Sequence, residues 1–80
     1  QNQKIMKLYV VNYYEGGTPM EGKTLGVFDS LDKAKESLTQ NLKELEIPEE
    51  CIKTQEDEYV FWDMDDFWGG IEIQKLTLNN

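Results

Sequence analysis

The chain predicts an α+β fold, with one antiparallel sheet of four to five strands and a single helix packed on one face. Three observations carry this expectation: a leucine run at steps of three and four between Asp29 and Pro48, short β-branched and aromatic runs on either side of it, and turn-forming residues between those runs. The implied order is β-β-α-β-β-β. Eighty residues suffice for one core that buries roughly 60 to 65% of the unfolded chain's surface, so residues 1–80 read as a single domain. Residues 1–5 are set apart as an appended, processed or disordered end.

Ile5 to Tyr14, IMKLYVVNYY, is rich in strand-forming side chains and apolar on both parities, which suggests a central strand. Glu15 to Gly22 holds three glycines and a proline and reads as a loop or hairpin connection. Lys23 to Phe28 returns as a second strand with Leu25 and Val27 expected on the core side. Asp29 and Ser30 are N-cap residue types, and after them Leu31, Ala34, Leu38, Leu42 and Leu45 recur on one stripe of a helix over residues 31–46, which Pro48 ends.

Beyond the helix, Cys51 to Gln55 is a short strand candidate, Glu56 to Glu58 a turn, Tyr59 to Met64 a strand, and Ile71 to Leu78 the closing strand. In that last run Ile71 and Ile73 take one parity and Leu76 and Leu78 the other, so a bulge near Gln74 or burial of both faces is expected. The expected core is Leu8, Val10, Leu25, Val27, Leu31, Ala34, Leu38, Leu42, Val60, Trp62 and Leu76. One helix covers one face, which would leave Tyr9, Val11, Tyr13, Tyr59 and Phe61 uncovered. That face would then meet a second copy or a partner, unless loop 15–22 and the segment around Phe67 and Trp68 fold back over it.

The net charge is −8, and it is uneven: residues 44–72 contain eleven acids and one lysine, hence −10, while the remainder is +2. Such a chain is a poor partner for nucleic acid or an anionic membrane, because each phosphate contact needs a cation. It suits a basic protein, or it serves only as a solvated acidic surface. There is no His and no Arg, which removes imidazole general base catalysis, imidazole metal ligation and bidentate phosphate recognition. The expectation is therefore no enzyme and no cofactor. The lone Cys51 reads as a small packed residue, and a reducing, cytoplasmic setting is the default.

Lys7-Leu8-Tyr9-Val10-Val11, followed by Leu25-Gly26-Val27-Phe28-Asp29-Ser30 and a helix with Ala34, resembles a group of short prokaryotic and phage domains of no assigned activity. In these a strand pair ends in Gly-Val-Phe before a capped helix, and a terminal strand is similar to Ile71 to Leu78. The resemblance covers about half the chain and implies a fold only. The acidic segment 56–68 departs from it, so any specialised role would lie there.

Within Glu56 to Ile73 acids and aromatics interleave with no basic residue. If Val60, Trp62 and Met64 face the helix, period two places Asp57, Tyr59, Phe61, Asp63 and Asp65 together on the opposite face. With Asp66, Phe67 and Trp68 these form the candidate partner-binding set: aromatics to anchor and acids to steer a Lys- or Arg-rich protein. Self-association as a homodimer through the uncovered face is a second expectation. An alternative is a phage-type inhibitor whose carboxylates imitate nucleic-acid phosphates, with Asp63 and Asp65 about 6.6 Å apart on one strand. A further alternative is weak divalent-cation binding at Asp63-Met64-Asp65-Asp66, which begins like a calcium loop but has Phe67, Trp68 and Gln74 where an EF-hand needs an oxygen ligand, Gly and Glu.

Overall fold

A computed structural model describes residues 5–16 and 21–79. These form β1 (Ile5–Glu15), β2 (Glu21–Phe28), α1 (Leu31–Leu45), a single 3-10 turn (Glu49–Cys51), β3 (Ile52–Glu56), β4 (Tyr59–Asp63) and β5 (Trp68–Asn79). The sheet is antiparallel throughout, in the order β2-β1-β5-β4-β3, with the helix across one face. The expected α+β architecture is thus present, and the one helix spans the expected residues. Residues 1–4 and the centre of the 15–22 connection lie outside the described residues.

The helix starts and stops where the sequence signals it. Ser30 is extended (φ −139°) and its Oγ accepts from the Lys33 N–H at 3.1 Å, while Lys33 Nζ lies 3.2 Å from Asp29 Oδ1. A cap of this kind is worth about 1 kcal/mol. At the other end Glu46 turns left-handed (φ 54°), its N–H donates to the Lys43 carbonyl, and Pro48 follows. Ala34 and Leu38 are the buried stripe.

Beneath that stripe lie Val11, Val60, Trp62 and Ile71, all fully buried, with Tyr9, Tyr13, Leu25, Phe28, Leu42, Ile47, Ile52, Met64 and Ile73 packed around them. This core corrects the expected one on β1, β2 and β5. Strand pairing transmits parity from neighbour to neighbour, since directly opposed residues share a face. Val60 opposes Ile71, Ile71 opposes Tyr13, and Ile73 opposes Val11. Once Val60 and Trp62 face the helix, β1 must therefore present Tyr9, Val11 and Tyr13 to it and turn Met6, Leu8 and Val10 away.

On β2 the register shifts opposite Val11/Asn12, leaving Leu25 as an extra residue between Thr24 and Gly26. The bulge keeps Leu25 on the helix side and sends Val27, two residues on, to the other face, where it is 56% exposed. β5 has no bulge at Gln74, because its register with β1 runs unbroken from Ile5↔Asn79 to Glu15↔Gly69. Leu76 and Leu78 accordingly stand on the open face, 38% and 46% exposed. The other register shift falls at Lys53 on β3.

Candidate interaction face

The face away from the helix is divided by its side chains. Across its middle Thr24 Oγ1 donates to Asn12 Oδ1, and Asn12 Nδ2 donates to Gln74 Oε1, each at 3.2 Å. On one side of this polar row are Met6, Leu8, Val10, Val27, Leu76 and Leu78. On the other are Tyr14, Tyr59, Phe61 and Trp68.

Gly70 organises the aromatic half. It stands directly between Tyr14 on β1 and Phe61 on β4, and a Cβ there would come within 3.1 Å of the Tyr14 ring and 2.8 Å of the Val60 carbonyl oxygen. The missing side chain leaves a hollow that the neighbouring rings close over. Trp68 meets Tyr14 edge-on, with centroids 6.4 Å apart at 70°, and Phe61 at 5.9 Å and 43°, both within the range of favourable aromatic pairs. The Gly16 N–H donates to the Trp68 carbonyl at 2.7 Å and ties the end of β1 to the start of β5.

Acids border this cluster. Asp63 opposes Trp68, Glu72 opposes Tyr59, and Glu56 opposes Tyr59 from β3. The Tyr14 hydroxyl is pushed up from the usual phenol range, first by burial, then by its hydrogen-bond contact with Tyr59 and the charge of Glu72 nearby. Tyr14 therefore stays neutral beside the carboxylates.

Of the residues expected at the site, Tyr59, Phe61, Asp63 and Trp68 do share this face. Asp57 does not: it lies in the β3–β4 turn, and its Oδ2 is 3.8 Å from Lys35 Nζ on the helix. Asp65 does not either, because β4 ends at Asp63 and the chain reverses through Met64–Phe67. The Met64 N–H donates to the Phe67 carbonyl at 2.8 Å, the Asp66 N–H to the Met64 carbonyl at 2.6 Å, and Asp65 sits at φ 61°, a left-handed conformation that Asp tolerates better than most residues. Asp65, Asp66 and Phe67 are exposed on this turn, next to the aromatic cluster and not on its strand. The 6.6 Å strand spacing consequently does not apply to Asp63 and Asp65. Sequence reasoning missed Tyr14, Glu72 and Glu56; the pair of glycines at 69 and 70 was the available signal that a neighbouring ring lies over the strand.

On the helix side a cleft of about 470 Å³ is lined by Tyr13, Glu15, Lys23, Leu25, Asn41 and Glu44 among others. Its polar groups already have partners: Tyr13 Oη donates to Glu15 Oε2 at 2.8 Å, Lys23 Nζ stands 6.0 Å from the Tyr13 ring centroid, Asn41 Nδ2 donates to the Ser37 carbonyl at 2.8 Å, and Gln40 Nε2 donates to Glu44 Oε2 at 3.0 Å. Among the described residues no three acidic or cysteine side chains come together as a metal site, and no helix is long and apolar enough to cross a membrane. Cys51 is a free thiol, half-buried in the 3-10 turn. Comparison with family models, curated proteins and solved structures gives no match, so the functional reading rests on the geometry of the face itself.

Proposed function

We propose that this protein is a small non-enzymatic interaction module that holds a basic segment of another protein on the aromatic end of its open sheet face. The observation that carries the reading is the Tyr14–Trp68–Phe61 cluster over Gly70, bordered by Asp63 and Glu72 and left bare by the only helix among the described residues. A Lys or Arg side chain laid on such rings gains about 0.5 to 2 kcal/mol per cation–π contact. The −10 segment adds a steering field that raises the association rate at low salt. Chemistry on the substrate is not part of the reading, because the chain has neither His nor Arg and no activated nucleophile stands by this face.

Mimicry of nucleic-acid charge is the weaker reading. Only Asp63 of the three aspartates at 63, 65 and 66 lies on the strand, and the rings pack on one another instead of standing apart as stacking partners for successive bases.

Titration of fluorescently labelled Lys/Arg-rich peptides against the full chain tests the proposal, with an acidic peptide as control. Basic peptides are expected to bind, more tightly at low salt. Asp63→Asn with Glu72→Gln should flatten the salt dependence, and Phe61→Ala should weaken binding at every salt concentration, with circular dichroism confirming that each variant folds. Equal binding of acidic and basic peptides, or indifference to both variants, would reject the proposal. Displacement of the peptide's binding site by added DNA is not expected on this reading, whereas a natural partner that DNA displaces would favour mimicry.

A further inference from the structure

β1 and β5 are longer than their neighbours. The β2 partnership of β1 begins at Tyr9↔Phe28 and the β4 partnership of β5 ends at Glu72↔Tyr59, so Ile5–Leu8 and Leu76–Asn79 continue as a two-stranded arm with Met6 opposite Leu78 and Leu8 opposite Leu76, and Lys75, opposite Tyr9, stands at its root. The arm contributes to a molecule 55 Å long and 26 Å by 17 Å across. A two-stranded ribbon on its own is marginal in water. This one nevertheless presents Met6 (48% exposed), Leu76 and Leu78 on a single face, continued by Val10 and by Val27, and the polar row of Thr24, Asn12 and Gln74 marks its end.

We propose that this aliphatic face is the contact between two copies of the chain, packed arm on arm about a twofold axis. Three features single out a second copy. The rows Met6/Leu78 and Leu8/Leu76 carry no charge and no polar atom, so a charged partner finds nothing to pair with, whereas apolar rows facing their own equivalents are self-complementary under twofold symmetry. The β1 edge of the arm bears Lys7, and the β5 edge is met at its root by Lys75, paired with Glu58 at 3.0 Å; both side chains lie on the other face, and charged groups at such edges discourage strand addition and leave face-to-face packing as the open route. The third feature is electrostatic. Within the −10 segment, Asp63, Asp65 and Asp66 are at the far end of the sheet beside Trp68, and Trp68 and Leu78 are ten residues apart on β5, roughly 33 Å; Glu58, at the root of the arm, is the carboxylate paired with Lys75. Contact at the arm keeps the acidic ends of the two copies well beyond the Debye length of about 8 Å at physiological salt, so like-charge repulsion does not oppose this mode of pairing. The aromatic end of each copy stays open, and the dimer presents two such faces.

Light scattering on the full chain, from low to high micromolar concentration and at low and high salt, tests the proposal. The expected particle has twice the 9.4 kDa chain mass, with little salt dependence. Leu76→Glu and, separately, Met6→Glu should weaken dimerisation at least about tenfold, a loss of about 1.4 kcal/mol, while circular dichroism shows the fold retained, since both positions are exposed. A 9.4 kDa particle for the wild type at every concentration and salt would overturn the proposal. So would a dimer that survives both Glu variants, or one that is lost on Phe61→Ala and kept on Leu76→Glu, which would move the contact to the aromatic end.

Discussion

Gly69 lies directly under the Trp62 indole across the β4–β5 pair. A Cβ at Gly69 would stand 2.8 Å from Trp62 Cζ2 and 2.9 Å from Cε2 and Nε1, closer than carbon atoms approach without strain. Trp62 is fully buried, and its Nε1 has no protein hydrogen-bond partner. The indole is thus held by shape and not by a polar anchor, with the Tyr13 ring 6.2 Å away on the same face. Gly69→Ala should destabilise the domain by about 1 to 3 kcal/mol, as overpacking does, partly offset by the lower chain entropy of an unfolded alanine. Urea denaturation followed by Trp62 and Trp68 fluorescence measures it. An unchanged or raised midpoint would mean that the indole has room to move and that the strand glycine is not there to admit it.

The two sides of the sheet separate two leucines that the sequence placed together. Leu38 is 3% exposed beneath the helix, and Leu76 is 38% exposed on the opposite face. Leu38→Ala should cost about 2 to 5 kcal/mol through lost burial and the cavity left behind. Leu76→Ala should cost under about 0.5 kcal/mol, measured at a concentration low enough for the chain to be monomeric. A Leu76→Ala cost as large as that of Leu38→Ala would place Leu76 in the core after all and reverse the face assignment of β5.

The helix and the order of strands were legible because their signals are local: Ser30 and Pro48 bracket a period that only a helix satisfies, and the strand runs are punctuated by turn residues. Which face of β1 points inward was not legible. Met6, Leu8 and Val10 on one parity compete with Tyr9, Val11 and Tyr13 on the other, and the choice is made by register with β5 and β4, which no local pattern encodes. The bulge at Leu25 misled for the same reason, since one extra residue reverses the parity of Val27. The aromatic half of the open face was found on β4, where Val60 and Trp62 alternate cleanly with Tyr59, Phe61 and Asp63. It was over-extended at both ends, because a turn places Asp57 beside Lys35 and another carries Asp65 off the strand.

Tyr13 makes the fold sensitive to strong alkali. Its phenol is pushed up from 10.0 to about 12, chiefly by burial, then by the hydrogen bond it donates to Glu15 and by that carboxylate's charge. The folded state therefore holds the proton after the unfolded chain has released it. Below pH 10 both states keep it and the tyrosine makes no difference to the pH dependence; between about pH 10 and 12 stability falls, by well under the full linkage slope because the half-buried ring is screened by solvent. Tyr14 is raised for related reasons and adds in the same direction. Urea midpoints should accordingly drop between about pH 10 and about pH 12, and the drop should be smaller in Tyr13→Phe, which has no proton to lose there. Glu15→Gln removes the charge and weakens the hydrogen bond, so the late phase of tyrosinate absorbance should move to lower pH in that variant. If Tyr13→Phe keeps the full alkaline drop while Tyr14→Phe abolishes it, the sensitivity belongs to the open face and not to the Tyr13–Glu15 pair beside the helix.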